Sequence, residues 1–144
     1  MQNEEIRQFR GDRYFLSNFY PVQVEFDGAV YQSSEAAFQA QKTTDPTLRA
    51  QFVGISANEA KKLGRQVELR PDWNEVKVGL MEQIVRAKFT QNEDLAMLLL
   101  ATGDSTLVEG NAWNDVFWGV SLSTGRGENH LGRILMKIRE ELRG

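Results

Sequence analysis

Residues 22–42, VQVEFDGAVYQSSEAAFQAQK, carry the change of pattern that decides the fold. Val22, Val24 and Phe26 alternate with Gln23 and Glu25, the period of a strand with one apolar face. Asp27-Gly28 supplies a two-residue turn, and Val30 and Tyr31 begin the return strand of a hairpin. From Ser33 the pattern turns helical, and seven residues separate Glu35 from Lys42, nearly two helical turns. An acid, the Phe38 ring, the Gln39 amide and an amine then share one helix face, enough to line a small polar pocket. The plain alternative is a first-turn Glu favoured by the helix dipole and a solvated Lys near the other end.

Working outward, 144 residues suffice for one domain with a real core and are too few for two comfortable ones. The formal net charge of −3 gives no general attraction for a polyanion, so nucleic-acid contact requires a local basic patch. With no cysteine, the chain has no disulfide, thiolate-ligated zinc, iron–sulfur cluster or thiol nucleophile. Its one histidine, His130, excludes a His-cluster metal site. No metal and no cofactor is expected. The stretch Met1-Gln2-Asn3-Glu4-Glu5 is polar and lacks the apolar centre of a signal peptide. No apolar run reaches membrane-spanning length, so the expected setting is the cytoplasm, without a membrane partner.

Tyr14-Phe15-Leu16 and Phe19-Tyr20-Pro21 crowd aromatic rings around Ser17-Asn18, the composition of core packing. Beyond Lys42 the helices are clearly punctuated. Asp45-Pro46 opens one that Gly54 closes, and Ser56 with Glu59 forms a capping box for another that Gly64 ends. Asp72 with Glu75 opens a longer helix to about Phe89. Thr90 with Glu93 caps the next, whose Leu95, Met97, Leu98, Leu99 and Leu100 predict a central position. Leu107-Val108-Glu109 reads as a short strand, and Asn129 caps a last helix striped by Leu131, Ile134, Leu135, Ile138 and Leu142. The expected fold class is α+β: one helix-dominated domain over 1–144 with a small antiparallel sheet.

Two loops have a composition suited to chemistry. Asn111 to Gly119 holds Trp113, Asp115 and Trp118, so a carboxylate beside an indole able to stack on a flat heterocycle is one reading. The other is that both tryptophans plug the core while Asp115 caps a turn. Gly125-Arg126-Gly127-Glu128-Asn129 leads into the last helix, where free backbone N–H groups can bind phosphate. There, Asn129 also reads as a simple cap and His130 as a surface residue. Lys61, Lys62 and Arg65, and separately Arg133, Lys137, Arg139 and Arg143, read as solvated basic faces.

Three blocks taken together are more specific: Phe15-Leu16-Ser17-Asn18-Phe19, Tyr31 to Lys42, and Asn114 to Gly119 followed by Gly127-Glu128-Asn129-His130-Leu131-Gly132. They resemble the NADAR superfamily, the YbiA-like N-glycosidases. Arg86-Ala87-Lys88-Phe89, Leu98 to Gly103 and Leu107-Val108-Glu109 extend the resemblance over nearly the whole chain. It implies cleavage of N-glycosidic bonds. One implied substrate is a phosphoribosylamino-pyrimidine of early riboflavin biosynthesis; the other is ADP-ribosylated guanine in nucleic acid. The second implies contact with DNA and, in some members, a DarT-type toxin as partner. The resemblance also implies Glu35 and Asp115 near the scissile bond, with Trp118 in the pocket. The chain departs from the longer YbiA-like pattern in a short N-terminus and a compact tip between Val120 and Gly125, and loops of that kind set substrate choice.

Both substrate types attach ribose to an exocyclic amine. Such a glycosylamine opens to an imine when suitably protonated, and a lysine amine can exchange into that imine as a Schiff base. Glu35 as acid/base and Lys42 as covalent participant fit that route. Direct hydrolysis through an oxocarbenium-like centre between two carboxylates, Glu35 and Asp115, is the rival. The catalytic candidates are therefore Glu35, Lys42 and Asp115. The substrate-binding candidates are Ser17, Asn18, Phe19 and Gln39 early in the chain, with Trp118, Gly119, Arg126 and Asn129 later. A non-catalytic ADP-ribose or nucleotide-binding module is the alternative from a different functional class.

Overall fold

Asp27 (φ 50°) and Gly28 (φ 84°) both take left-handed backbone, which matches the twist of a tight hairpin and sets its register. In the computed structural model, which describes residues 4–144, Val24 pairs with Tyr31 and Phe26 with Ala29. The reading of residues 1–3 as polar and leaderless lies outside the described residues. In chain order the elements are β1 (Glu5–Ile6), a 3-10 helix (Gly11–Leu16), β2 (Val24–Phe26), β3 (Ala29–Tyr31) and α1 (Ser34–Ala40). They continue with α2 (Pro46–Ala50), α3 (Ala57–Gly64), α4 (Trp73–Gln91), α5 (Glu93–Ala101), β4 (Thr106–Leu107), β5 (Gly110–Asn111), β6 (Val120–Ser121) and α6 (His130–Arg143). The α+β class holds. Among the described residues there are three two-stranded ladders: β2–β3 is antiparallel, whereas β1–β4 and β5–β6 are parallel.

Contacts gather these elements into two compact units. One is Asn18–Asn92; the other comprises the described residues up to Ser17 together with Glu93–Gly144. In the first, α1 packs on α3, on α4 and on both strands of the hairpin. All seven residues of α1 are buried. A helix so short has little stability alone, and the small side chains of Ala36, Ala37 and Ala40 let its neighbours close in on it. Ser56 and Glu59 form the expected capping box at α3, and Asp45 caps α2 through Thr47 N–H.

Two expected caps take other roles. The Asp72 carboxylate binds the Arg70 guanidinium at 2.6 and 3.1 Å instead of capping α4. Thr90 lies inside α4, where its hydroxyl donates to Arg86 O at 2.8 Å, and α5 starts only at Glu93.

In the second unit, α6 packs on α5 and β4, with Leu131, Ile134, Leu135 and Ile138 buried as their stripe predicts. The buried Arg139 of α6 donates to Thr102 Oγ1 and Ser105 O, at 2.9 and 2.8 Å. The central position expected of α5 is not observed. Leu95 and Leu99 are buried, but Met97 is 66% exposed and Leu98 and Leu100 also face outward. An apolar composition all round a helix does not require burial all round.

Lys88 of α4 is the chief oddity of the first unit. It is almost wholly buried, its Nζ lies 5.7 Å from the Tyr20 ring centroid and 5.1 Å from that of Phe89, and burial lowers its pKa to about 7. An unfolded lysine keeps its proton to about pH 10.4, so between 7 and 10 the unfolded chain binds more protons. Stability should therefore rise with pH across that window, by at most about 1.4 kcal/mol per unit. Lys88→Met should flatten the slope. Urea unfolding of both proteins at pH 7 and 9.5 checks this, and equal slopes would contradict it.

Candidate active site

Ser33 takes extended backbone and accepts the Ala36 N–H at 3.0 Å, which starts α1 where the sequence expects. Asn18 fixes that start from outside the helix. Its carbonyl accepts Glu35 N–H at 3.0 Å, and its Oδ1 accepts the Ser34 hydroxyl at 2.9 Å. Its Nδ2 lies 3.4 Å from Met81 Sδ on α4. Asn18 is thus a fastener for the first turn of α1, and its side-chain bonds run to protein groups.

Glu35 is buried, and its Oε2 accepts Gln39 Nε2–H at 2.7 Å, one helical turn on. A bond that short to a carboxylate is charge-assisted and holds the acid in one orientation. The other end of the amide has no such partner: Gln39 Oε1 is buried without a hydrogen bond. It faces Gly64 of α3, where an added Cβ would stand 1.9 Å from Oε1 and 2.8 Å from Cδ. Gly64 was expected only as a helix stop. Its backbone angle is not left-handed, and its lack of a side chain instead makes room for the Gln39 amide.

That contact makes a prediction. Gly64→Ala should push the Gln39 amide away and free the Glu35 carboxylate, lowering turnover at least tenfold. Stability should change little, because alanine favours a helix over glycine by about 1 kcal/mol and offsets the lost bond. Thermal melts beside steady-state kinetics decide it; full activity would show that Gln39 does not orient the acid.

Lys42 departs from the sequence reading. α1 ends at Ala40, Gln41 is its cap, and Lys42 N–H reaches Gln39 O at 3.2 Å in a tightened last turn. The amine is therefore beyond the helix rather than on its face, yet still within electrostatic reach of Glu35. Burial lowers its pKa below the ordinary range, the Glu35 charge opposes this, and the positive charges of Arg65 and Lys61 push it further down. Phe19, also in this unit, is half-buried, with Lys61 Nζ 5.6 Å from its ring centroid.

The other unit holds the remaining candidates. Asp115 Oδ1 accepts the N–H groups of Phe117 and Trp118 at 3.1 and 3.0 Å, as a turn-capping aspartate does. Asn111 braces it, accepting Asp115 N–H and donating to Asp115 O, both at 2.9 Å. Trp118 packs edge-on to Phe117, and Phe117 lies 4.4 Å from the half-buried His130 ring. The tryptophans do not plug the core: Trp113 is 66% exposed and Trp118 half-buried. Gly119 is buried where a side chain would strike Glu109. Ser17, half-buried, ends the 3-10 helix by donating its N–H to Tyr14 O at 2.9 Å.

Asn129 is not the expected side-chain cap. Its Oδ1 accepts Glu109 N–H at 3.0 Å and its Nδ2 donates to Leu107 O at 2.9 Å, tying the start of α6 to the β4 strand. Nor is the start of α6 a vacant anion cradle. The N–H groups of Glu128, Asn129, His130 and Leu131 donate to the carbonyls of Val116, Gly119, Phe117 and Trp118. Arg126 is exposed on that loop.

Two contributors escaped the sequence reading. Gly64 is one, and Trp73 is the other: the first residue of α4, it is buried with its ring 5.1 Å from that of Phe38. An indole directly after the Asp72 helix start was the available signal.

Comparison with known proteins agrees with this architecture. The NADAR domain model matches residues 6–143. A riboflavin biosynthesis protein of Vibrio vulnificus is 45% identical over 131 residues, covering 89% of this chain but 35% of that protein. The chain thus spans about a third of that relative's length. N-glycosidase YbiA of Escherichia coli K12 is 40% identical over 130 residues, covering 88% of this chain and 80% of that one. The NMR structure of E. coli YbiA superposes with a TM-score of 0.88 at 38% identity, covering 99% of this chain and 87% of that one. A match along nearly its whole length and a shared fold at this identity mean that the chain belongs to the NADAR family.

Proposed function

We propose that this protein is an N-glycosidase that hydrolyses the bond between ribose and an exocyclic amine, with a phosphoribosylamino-pyrimidine as substrate. The observation that carries the reading is the buried Glu35 carboxylate, oriented by Gln39, with the Lys42 amine in electrostatic reach. The names of the relatives, N-glycosidase and riboflavin biosynthesis protein, support the bond type and the pyrimidine.

In the proposed reaction Glu35 delivers a proton to the ring oxygen, and the C1′–O bond breaks as the amine lone pair forms an imine. The Lys42 amine adds to C1′, a proton passes from its nitrogen to the pyrimidine amine, and the C1′–N bond breaks to release that amine and leave a protonated Schiff base on Lys42. Water then adds to C1′ and returns a proton to Glu35, and the adduct collapses to an aldehyde, which closes to ribose 5-phosphate while Lys42 recovers its amine. The net change is one water consumed and one C–N bond cleaved. Direct attack of water at an oxocarbenium-like C1′ gives the same products without the adduct.

Asp115 is proposed to contribute its charge as well as its fold. Asp115→Asn keeps the Oδ1 acceptor for Phe117 and Trp118, so the loop should survive while turnover falls at least tenfold. An unchanged rate would restrict Asp115 to holding the loop.

ADP-ribosylated guanine is the second reading, favoured by the exposed Trp113 indole, a surface on which a base can stack. Incubation with each substrate and analysis for ribose 5-phosphate or ADP-ribose tests both, and release from neither would reject the enzyme. Tight calorimetric binding of ADP-ribose without product would support a recognition module. Contact with DNA and a DarT-type partner belong to this second reading, and a cytoplasmic setting is proposed for either. No helix among the described residues is long and apolar enough to cross a membrane.

A further inference from the structure

Cations from two separate elements come within electrostatic reach of the Lys42 amine, which is itself within reach of Glu35. Lys61 and Arg65 stand four residues apart at the C-terminal end of α3, and so on one face. Lys42 comes from the turn after α1, the helix against which α3 packs through Gly64. Lys61 is placed against the Phe19 ring. The helix dipole alone favours cations in the last turn of α3, but it does not call for a third cation from another element. Burial is the main cause of the lowered pKa of Lys42, and the charges of Arg65 and Lys61 add to it. Lys62 lies near Glu59, whose carboxylate is held in the capping box. In a chain of net charge −3, this is a local concentration of positive charge with no general cause.

We propose that Lys61 and Arg65 form a subsite for the phosphate on the ribose 5′ carbon, placing C1′ of the sugar toward Glu35 and Lys42. The assignment rests on the N-glycosidase reading for its substrate but not for its ligand chemistry, a phosphate ester on ribose. It also replaces the loop before α6 as the phosphate site, since the amides there are already bonded. A phosphomonoester at this place meets a guanidinium able to bind two of its oxygens and an ammonium held by a ring. The same subsite can take the proximal phosphate of ADP-ribose, so the probes must separate the two.

The test is calorimetric titration of the whole protein with ribose 5-phosphate, ribose and ADP-ribose. Ribose 5-phosphate should bind at least tenfold more tightly than ribose, and more weakly as salt is raised. Lys61→Ala and Arg65→Gln should each weaken it about tenfold, with unchanged melting curves, whereas Lys62→Ala should not. Preference for ribose 5-phosphate over ADP-ribose identifies a monoester site, and the reverse a diphosphate site; either supports the subsite. Equal affinity for ribose and ribose 5-phosphate would overturn it, as would equal losses at Lys61 and Lys62, which indicate a diffuse field. In turnover assays the Lys61 and Arg65 variants should raise KM for phosphorylated substrate by more than they lower kcat, which falls only as far as their charges aid the Lys42 amine. Binding that follows this pattern with no turnover would keep the subsite and reject the enzyme. Turnover indifferent to the phosphate would do the opposite.

Discussion

Glu35→Gln is expected to lower turnover about a hundredfold or more, the usual consequence of deleting a general acid/base. The fold should remain. Backbone N–H of residue 35 still donates to Asn18 O, and the new amide oxygen can still accept from Gln39 Nε2. What is lost is the ionisable proton and the charge assistance of one hydrogen bond, about 1 kcal/mol of stability. The melting temperature should therefore fall by no more than a few degrees. Near-normal activity with an unchanged melt would remove Glu35 from the mechanism and leave its orientation by Gln39 without a chemical purpose.

The second large effect is expected at Lys42. Arginine keeps the positive charge but cannot act as an amine nucleophile at neutral pH. If Lys42 forms the adduct, Lys42→Arg should lose activity almost as fully as Lys42→Ala. The surroundings favour the nucleophilic form: burial, Arg65 and Lys61 all disfavour the proton, against the single opposing charge of Glu35. Borohydride added during turnover should trap a sugar on Lys42, found by intact mass and peptide mapping. An active Lys42→Arg protein that yields no adduct would leave direct hydrolysis as the route.

The features legible in the sequence are those whose cause is local. Asp27-Gly28 fixes its hairpin because only the residues of the turn decide its backbone. Ser56 and Glu59 announce their capping box in the same way. Glu35 and Gln39, one turn apart, could be read as neighbours before any packing was known. The misread elements depend on partners distant in sequence. Asn129 looks like a cap, but its amide is taken by Leu107 and Glu109, 22 and 20 residues away. α5 looks central from its leucines, while neighbours cover only Leu95 and Leu99. Lys42 looked helical because a pattern of apolar and polar residues does not mark the last turn as sharply as a capping side chain marks the first.

The close fit of Gly64 to the Gln39 amide ties the evolution of two positions together. A lineage that places any side chain at 64 must move or shorten residue 39, and with it gives up the bond to Glu35. A lineage that replaces Gln39 by a smaller residue releases 64 from being glycine. Among relatives the two sites should therefore drift as a pair. A double-mutant cycle on Gly64→Ala and Gln39→Ala should show strong non-additivity in turnover, the second change costing little once the first is made.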